Sequence, residues 1–369
     1  MSEAVNTPDI STLLSVIREL VGEVHPRWKN LHFTPDTHLE KELGLDSMAR
    51  MELCARLEST LGMKLNETRV ASASTPGRLM KIILDQHTDS TEASAAVIDE
   101  RDLLMGSFGE DVAEDVQRSG HSLSEWLYAC YCWPVFIVVG LLTWIVVVIA
   151  PLESWRRKLA HIGARSFFAL TFTPLRVTGQ EYLDPEQPHI IVANHASYLD
   201  GFIVTAALDR PIHFIVKGEL ARIAPVRILL QRFGVEFVDR FNGHRGASDV
   251  RRITLKSQNG QTIVFFPEGT FTTIEGLQPF RMGAFVTAAR AHVPVTPVAI
   301  RGARSIVRGS HWFPYRGRIE VTIRPPVVPR GEGWQVALDL RDAARAEIAR
   351  YCGEPDLVEG EAREASTLS

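Results

Sequence analysis

Ile190-Ile191-Val192-Ala193-Asn194-His195-Ala196-Ser197-Tyr198-Leu199-Asp200 is the stretch on which the reading of this chain turns. Four consecutive apolar residues, three of them β-branched, read as a short strand. The polar Asn194-His195 then ends the strand. A strand that ends in His, with Asp five residues on, places both side chains at the carboxyl edge of a sheet. A lone histidine there is usually structural. A His–Asp pair differs, because the carboxylate holds the imidazole in one tautomer and stabilises its cation. The other ring nitrogen is then left to take a proton from a hydroxyl. There is no Gly-x-Ser-x-Gly elbow, so a serine nucleophile is not indicated.

Working outward, strands are expected at Ile190–Ala193, His213–Val216, Val235–Val238, Thr262–Phe266, Val295–Ile300 and Ile319–Arg324. Helical runs such as Ala247–Ser257 and Phe280–His292 lie between them, and the alternation predicts an α/β layer fold over 173–350. Three more blocks come after the His–Asp block in order: Gly234-Val235-Glu236-Phe237-Val238-Asp239-Arg240, Phe266-Pro267-Glu268-Gly269-Thr270, and Val293-Pro294-Val295-Thr296-Pro297-Val298. Each alone is weak. Together, in this order and spacing, they resemble the four sequence blocks of the glycerolipid (1-acylglycerol-3-phosphate type) acyltransferase family. The resemblance implies direct acyl transfer from a thioester to an acceptor hydroxyl. It makes His195 the general base, Asp200 its orienting partner and Arg240 the ligand of an acceptor anion. Glu268, Gly269 and Thr270 would shape the acceptor site, and Lys217 would add positive potential. The family pattern usually continues Glu-Gly-Thr with Arg, and here Phe271 stands in that place. This removes a bidentate phosphate partner. Arg281, Arg301 and Arg304 are the candidates to replace it, and a different acceptor lipid is the other explanation.

Upstream, Leu127–Ala150 is uncharged and strongly apolar. It is long enough to cross a hydrocarbon core of about 30 Å. Ser122 and Glu125 are spaced as a capping box just before it, and Trp126, Tyr128, Tyr131 and Trp133 resemble interfacial aromatics. A second, partly apolar segment, Leu159–Leu175, is interrupted by His161 and Arg165. It suits a position within one leaflet rather than a span. Residues 122–172 are therefore expected to form a membrane-associated helix pair. Arg156, Arg157 and Lys158 after the apolar segment place the acyltransferase domain on the cytoplasmic side of the cytoplasmic membrane. The N-terminal MSEAVNTPDISTLL lacks a basic region joined to a long apolar core, so it does not read as a secretory signal.

Residues 1–86 read as helical and polar-surfaced, with apolar repeats at Leu13, Leu14, Ile17, Leu20, Val21 and at Met48, Met51, Cys54, Leu57, Leu61. Between them Gly44-Leu45-Asp46-Ser47-Met48 opens a helix, and Thr75-Pro76-Gly77-Arg78-Leu79 opens a last short one. Asp-Ser before an apolar period is by itself an ordinary helix N-cap. In this context the stretch resembles an acyl carrier protein domain. The resemblance implies a four-helix bundle and 4'-phosphopantetheine esterified to Ser47. Carriers more often have Leu after that serine; Met48 is a near-isostere expected to pack in its place.

Charge separates the modules. Residues 1–125 hold 12 Lys+Arg against 22 Asp+Glu, residues 151–350 hold 27 against 17, and the tail from 351 holds 1 against 5. The acidic carrier suits docking onto basic protein, and the basic domain suits phosphates or an anionic membrane face. No recognised nucleic-acid motif accompanies the basic charge, so nucleic acid is not an expected partner. Four cysteines without metal-ligand spacing give neither a metal site nor a disulfide framework. The expected organisation is a multidomain chain: an all-α four-helix carrier bundle (1–86), a linker (87–121), membrane-associated helices (122–172), an α/β glycerolipid acyltransferase domain (173–350) and an acidic tail (351–369). Its expected partners are the lipid membrane, an acyl thioester donor (the fused carrier, a free carrier or coenzyme A), a phosphopantetheinyl transferase and an acyl-loading enzyme. A membrane scaffold that presents an acylated carrier, and a thioester hydrolase, are the competing readings.

Overall fold

A computed structural model describes residues 9–28, 31–40, 42–66, 69–70, 73–88, 122–218, 222–238, 243–269, 275–307 and 313–357. The N-terminal region is helical. Helices α1 (Ile10–Val24), α2 (Ser47–Leu61) and α3 (Pro76–Thr88) enclose a core of Leu13, Ile17, Leu20, Leu39, Leu53, Leu57, Leu79 and Ile83. A fourth bundle helix would fall between α2 and α3, where part of the chain lies outside the described residues. Gly44, with φ +61°, turns the chain into α2, and a Cβ there would run into the His25 ring. Glycine at the head of the motif is thus a steric requirement.

Next come α4 (Leu123–Ile149) and α5 (Glu153–Leu170). The Ser122–Glu125 capping box forms as expected, and α4 runs through Pro134. By length and composition α4 is the one helix among the described residues able to cross a membrane. Helix α5 folds back along it: Tyr128 and Tyr131 Oη, at the start of α4, donate to the carbonyls of Thr171 and Leu170, both at 2.9 Å. The second apolar segment stops short of its expected end at Leu175. Phe172 takes φ 54°, Pro174 cannot continue the helix, and Leu175 opens a strand.

The remaining elements alternate: β1 (Leu175–Thr178), β2 (Ile190–Ala193), α6 (Asp200–Ala207), β3 (His213–Lys217), α7 (Ala224–Arg232), β4 (Glu236–Val238), α8 (Gly243–Gln258), β5 (Ile263–Phe265), α9 (Gly283–Ala291), β6 (Val295–Arg301), α10 (Ala303–Ile306), β7 (Ile319–Ile323) and α11 (Trp334–Cys352). The seven strands form one sheet in the order β1-β7-β6-β2-β5-β3-β4, parallel except between β6 and β7. Ile190 and Val192 point to a core shared with α8, α9 and α11, while Ile191 and Ala193 point to one shared with α5 and α6. Burial on both faces explains why β2 reads as an unbroken apolar run.

Two contacts bind the other parts to this sheet. His161 and Arg165, the polar interruptions of α5, bond the carbonyls of Thr205 and Ala206 at the end of α6, and Gln180 bonds that of Ala207. They satisfy orphan helix-terminal acceptors. The N-terminal helical region lies on α8 and α9, with Met48 buried in the α/β-domain core.

Candidate active site

Strands β2, β5, β3 and β4 are neighbours and parallel, so their carboxyl ends form one edge. In open α/β sheets such an edge is the usual ligand site. His195 comes after β2 there, and Pro267-Glu268-Gly269 comes after β5. Asp200 opens α6 and is fully buried. Its Oδ2 lies 2.8 Å from His195 Nδ1 and accepts the Ala196 and Ser197 N–H groups at 2.7 and 2.8 Å. An oxygen that meets backbone donors on two sides calls for N–H on Nδ1, which makes Nε2 the acceptor nitrogen of the ring. Asp200 Oδ1 has no hydrogen-bond partner among the described residues. The His195 side chain is 20% exposed, and its ring stacks on Phe266 at 4.5 Å.

Glu268 holds the same loop from the other side. Its Oε1 accepts the His195 N–H at 2.6 Å, and its Oε2 accepts that of Gln278 at 2.9 Å. Burial pushes the Glu268 carboxyl up to about 7, opposed by the two N–H groups, which favour the charged form. The carboxylate thus fixes where the His195 backbone sits. Gly269 is next, with φ +85°, a conformation glycine adopts without a steric penalty.

Asn194 and Ser197, to which the sequence alone assigns no role, complete the frame. Asn194 is buried, and its amide brackets one residue of β6, donating to Ile300 O at 2.9 Å and accepting from Ile300 N at 2.7 Å. Ser197 Oγ donates to Val307 O at 3.0 Å. A polar amide directly after four buried apolar residues was the available signal for Asn194.

Ser47 stands at the first turn of α2, half-buried. Asp46 caps the helix: its Oδ1 accepts from Met48 and Ala49 N–H at 3.1 and 2.8 Å. A cleft of about 110 Å³ is lined by Asp46, Ser47 and Met48 on one side of the contact and by Val250, Ile253, Phe265, Phe266, Gly269 and Arg281 on the other. That volume is well below the roughly 300–1,000 Å³ of a small-molecule site. A half-exposed serine on a cleft with apolar lining and a guanidinium fits the chemistry of a phosphopantetheine attachment point.

Met48 packs as expected, 6% exposed, and the core it enters is that of the α/β domain. Methionine's flexible thioether suits a contact between two surfaces. Arg304 is also engaged elsewhere, since its Nε bonds Glu354 at 2.9 Å. Lys217 ends β3 at the same sheet edge as His195. Arg240, Thr270 and Phe271 lie outside the described residues.

These features define a two-module class, a carrier-type helical domain joined to an α/β acyltransferase-type domain, and the comparisons agree. Residues 174–301 match the Acyltransferase family and residues 12–83 match the family described as Phosphopantetheine attachment site. The chain therefore contains an acyltransferase-family domain preceded by a phosphopantetheine-attachment domain. Among its relatives is a chloroplastic 1-acyl-sn-glycerol-3-phosphate acyltransferase of Brassica napus, 29% identical over 202 residues, which are 53% of this chain and 57% of the relative. A lysophospholipid acyltransferase of Mus musculus is 32% identical over 164 residues, 42% of this chain and 30% of that protein. The chain spans about half the length of the plant relatives it matches. The crystal structure of the 1-acyl-sn-glycerophosphate acyltransferase PlsC from Thermotoga maritima shares the fold, with TM-score 0.52 and 24% identity, covering 62% of this chain and 94% of that one.

Proposed function

We propose that this protein transfers an acyl group from a thioester to a hydroxyl of a lipid acceptor, a lysophospholipid in the first instance. The observation that carries the reading is the 2.8 Å contact of His195 Nδ1 with the fully buried Asp200 carboxylate, at the sheet edge where Glu268 fixes the His195 backbone. A 4'-phosphopantetheine arm on Ser47 supplies a thioester when bound. His195 Nε2 takes the proton of the acceptor hydroxyl as its oxygen bonds to the acyl carbon. As the C–S bond breaks, the same nitrogen returns the proton to the leaving sulfur. Asp200 stabilises the imidazolium between these events. Lys217 ends β3 at this edge; with Arg240 it binds the acceptor's anionic head, and Gly269 and Thr270 shape the acceptor site. Incubating the acyl-loaded protein with lysophospholipids and tracking the acyl group by mass spectrometry tests the reading. Acylated phospholipid is expected. Free fatty acid alone would point to hydrolysis, and unchanged acyl protein would point to a scaffold; either sinks it.

The same proposal covers the membrane. Helices α4 and α5 form an antiparallel hairpin whose exposed apolar residues include Ile137, Leu141, Leu142, Ile149, Ile162 and Phe172. The carrier region and the acyltransferase domain touch: Asp46 Oδ2 accepts the Met282 N–H at 2.8 Å. A single full span between them would put them on opposite sides of a bilayer. We place the hairpin along the cytoplasmic face of the membrane, its turn tied to the α/β domain where Arg156 donates to Arg232 O at 3.1 Å and Trp144 to Pro225 O at 3.2 Å, with both domains on that one side. With the native cysteines replaced, Ser90→Cys and Arg245→Cys are each expected to escape an impermeant thiol reagent in intact cells and to react after lysis. Labelling of the Ser90→Cys site alone in intact cells would establish a full span.

A further inference from the structure

The contact between the carrier region and the acyltransferase domain has the marks of a functional seat. Asp46 divides its carboxylate: Oδ1 caps α2, and Oδ2 accepts the N–H of Met282, the residue that opens α9. From the other side Arg341, 5% exposed, donates to the carbonyl of Val24 at the end of α1 at 2.8 Å. Two apolar contacts close the joint. Met48 and Met51, on one face of α2, pack into the acyltransferase core, and Trp334 packs against both cores. The residue flanked by these contacts is Ser47. It lines a cleft that Phe266 also lines, and Phe266 carries His195 stacked on its ring. Arg281 lines the same cleft, is exposed, and has no ion-pair partner among the described residues. It is a cation lining the same cleft as the serine on which a phosphodiester would stand.

We infer that this arrangement is a delivery state in which the protein's own carrier, seated through Asp46, Met48, Met51, Arg341 and Trp334, presents its Ser47 arm to the His195 site, and that Ser47 is modified from the undocked carrier. The inference rests on the acyltransferase reading and names its donor. Arg281 holds the arm's phosphate at the mouth of the cleft, and the apolar walls of Val250, Ile253 and Phe265 guide the rest of the arm toward His195. The seat covers Ser47 on the side of α8 and α9, so a phosphopantetheinyl transferase requires the carrier to lift off. The 33 residues 89–121, between the end of α3 and Ser122, give the chain length for that excursion.

The test uses the full-length apo protein, Met51→Asp and Trp334→Ala, so that one variant changes the carrier face and the other the acyltransferase face. Each is treated with a phosphopantetheinyl transferase and coenzyme A, and mass gain at Ser47 is measured over time. Both variants are expected to be modified about tenfold faster than wild type, and the Met282 amide to lose protection from hydrogen exchange. In acyl-loaded protein, single-turnover transfer to lysophospholipid is expected to fall about tenfold as the effective donor concentration drops. Transfer driven by saturating acyl-coenzyme A stays within about twofold of wild type, because the His195 site is untouched. Equal modification rates and equal Met282 protection across all three proteins would overturn the docked state. Unchanged in-cis transfer despite lost protection would overturn its role in delivery. A wild type that transfers from neither donor would sink the acyltransferase reading instead, and modification rate and Met282 protection would still decide the docking.

Discussion

His195→Ala is expected to lower acyl transfer by about 10²–10⁴-fold, the usual contribution of a positioned general base, while the protein keeps its fold. The fold is spared because the tie to Glu268 uses the His195 backbone N–H, which alanine retains. Asp200 Oδ2 still accepts from Ala196 and Ser197 after the imidazole is gone. The ring is also partly exposed and lies on the face of Phe266, so its removal opens no sealed cavity. Turnover and thermal unfolding measured on the same preparation separate the two effects. An unfolding midpoint within a few degrees of wild type, with turnover lost, is the expected pair. Near-normal turnover would refute the mechanism.

Much of the acyltransferase domain is legible in the sequence, because its strands are short apolar runs bounded by turn residues. Strand β2 covers Ile190–Ala193 as expected, and the others agree to within a residue or so at each end. Strand β1 is the one missed. Leu175–Thr178 alternates half-buried and exposed at the edge of the sheet, and its partner is Ile319–Thr322, over a hundred residues away. Four alternating residues next to an apolar helix carry too little periodic signal to stand out. The His195–Asp200 pair is legible because its contact spans five residues of chain. Glu268 is legible as part of a block, yet its grip on the His195 N–H is not, since that bond depends on the β2–β5 register. Met48 shows the same limit. Its apolar character is plain, but which core it enters depends on how two domains meet.

The Asp200 carboxylate allows a sharper test, because its two oxygens differ. Oδ2 takes three donors, His195 Nδ1 and the N–H groups of Ala196 and Ser197, while Oδ1 has no partner among the described residues. Asparagine can place its carbonyl where Oδ2 stands and keep all three bonds, but its NH₂ then occupies the Oδ1 position without an acceptor. A buried donor left unsatisfied costs about 1–3 kcal/mol. The opposite rotamer sets NH₂ against three donors and is worse. Asp200→Asn should therefore fold, with stability lowered by about that amount. The loss in catalysis should be larger than this cost suggests, because the negative charge that stabilises the imidazolium is gone. A fall in kcat of about 10²–10³-fold is expected, the scale for removing one preorganised electrostatic partner of the reacting groups. Asp200→Ala, by contrast, leaves three donors without an acceptor and should lose the loop as well as the activity, with a far larger drop in unfolding midpoint. If Asp200→Asn turned over at the wild-type rate, Asp200 would act only as the brace of the His195–Ser197 turn, and the base would have to work without its counter-charge.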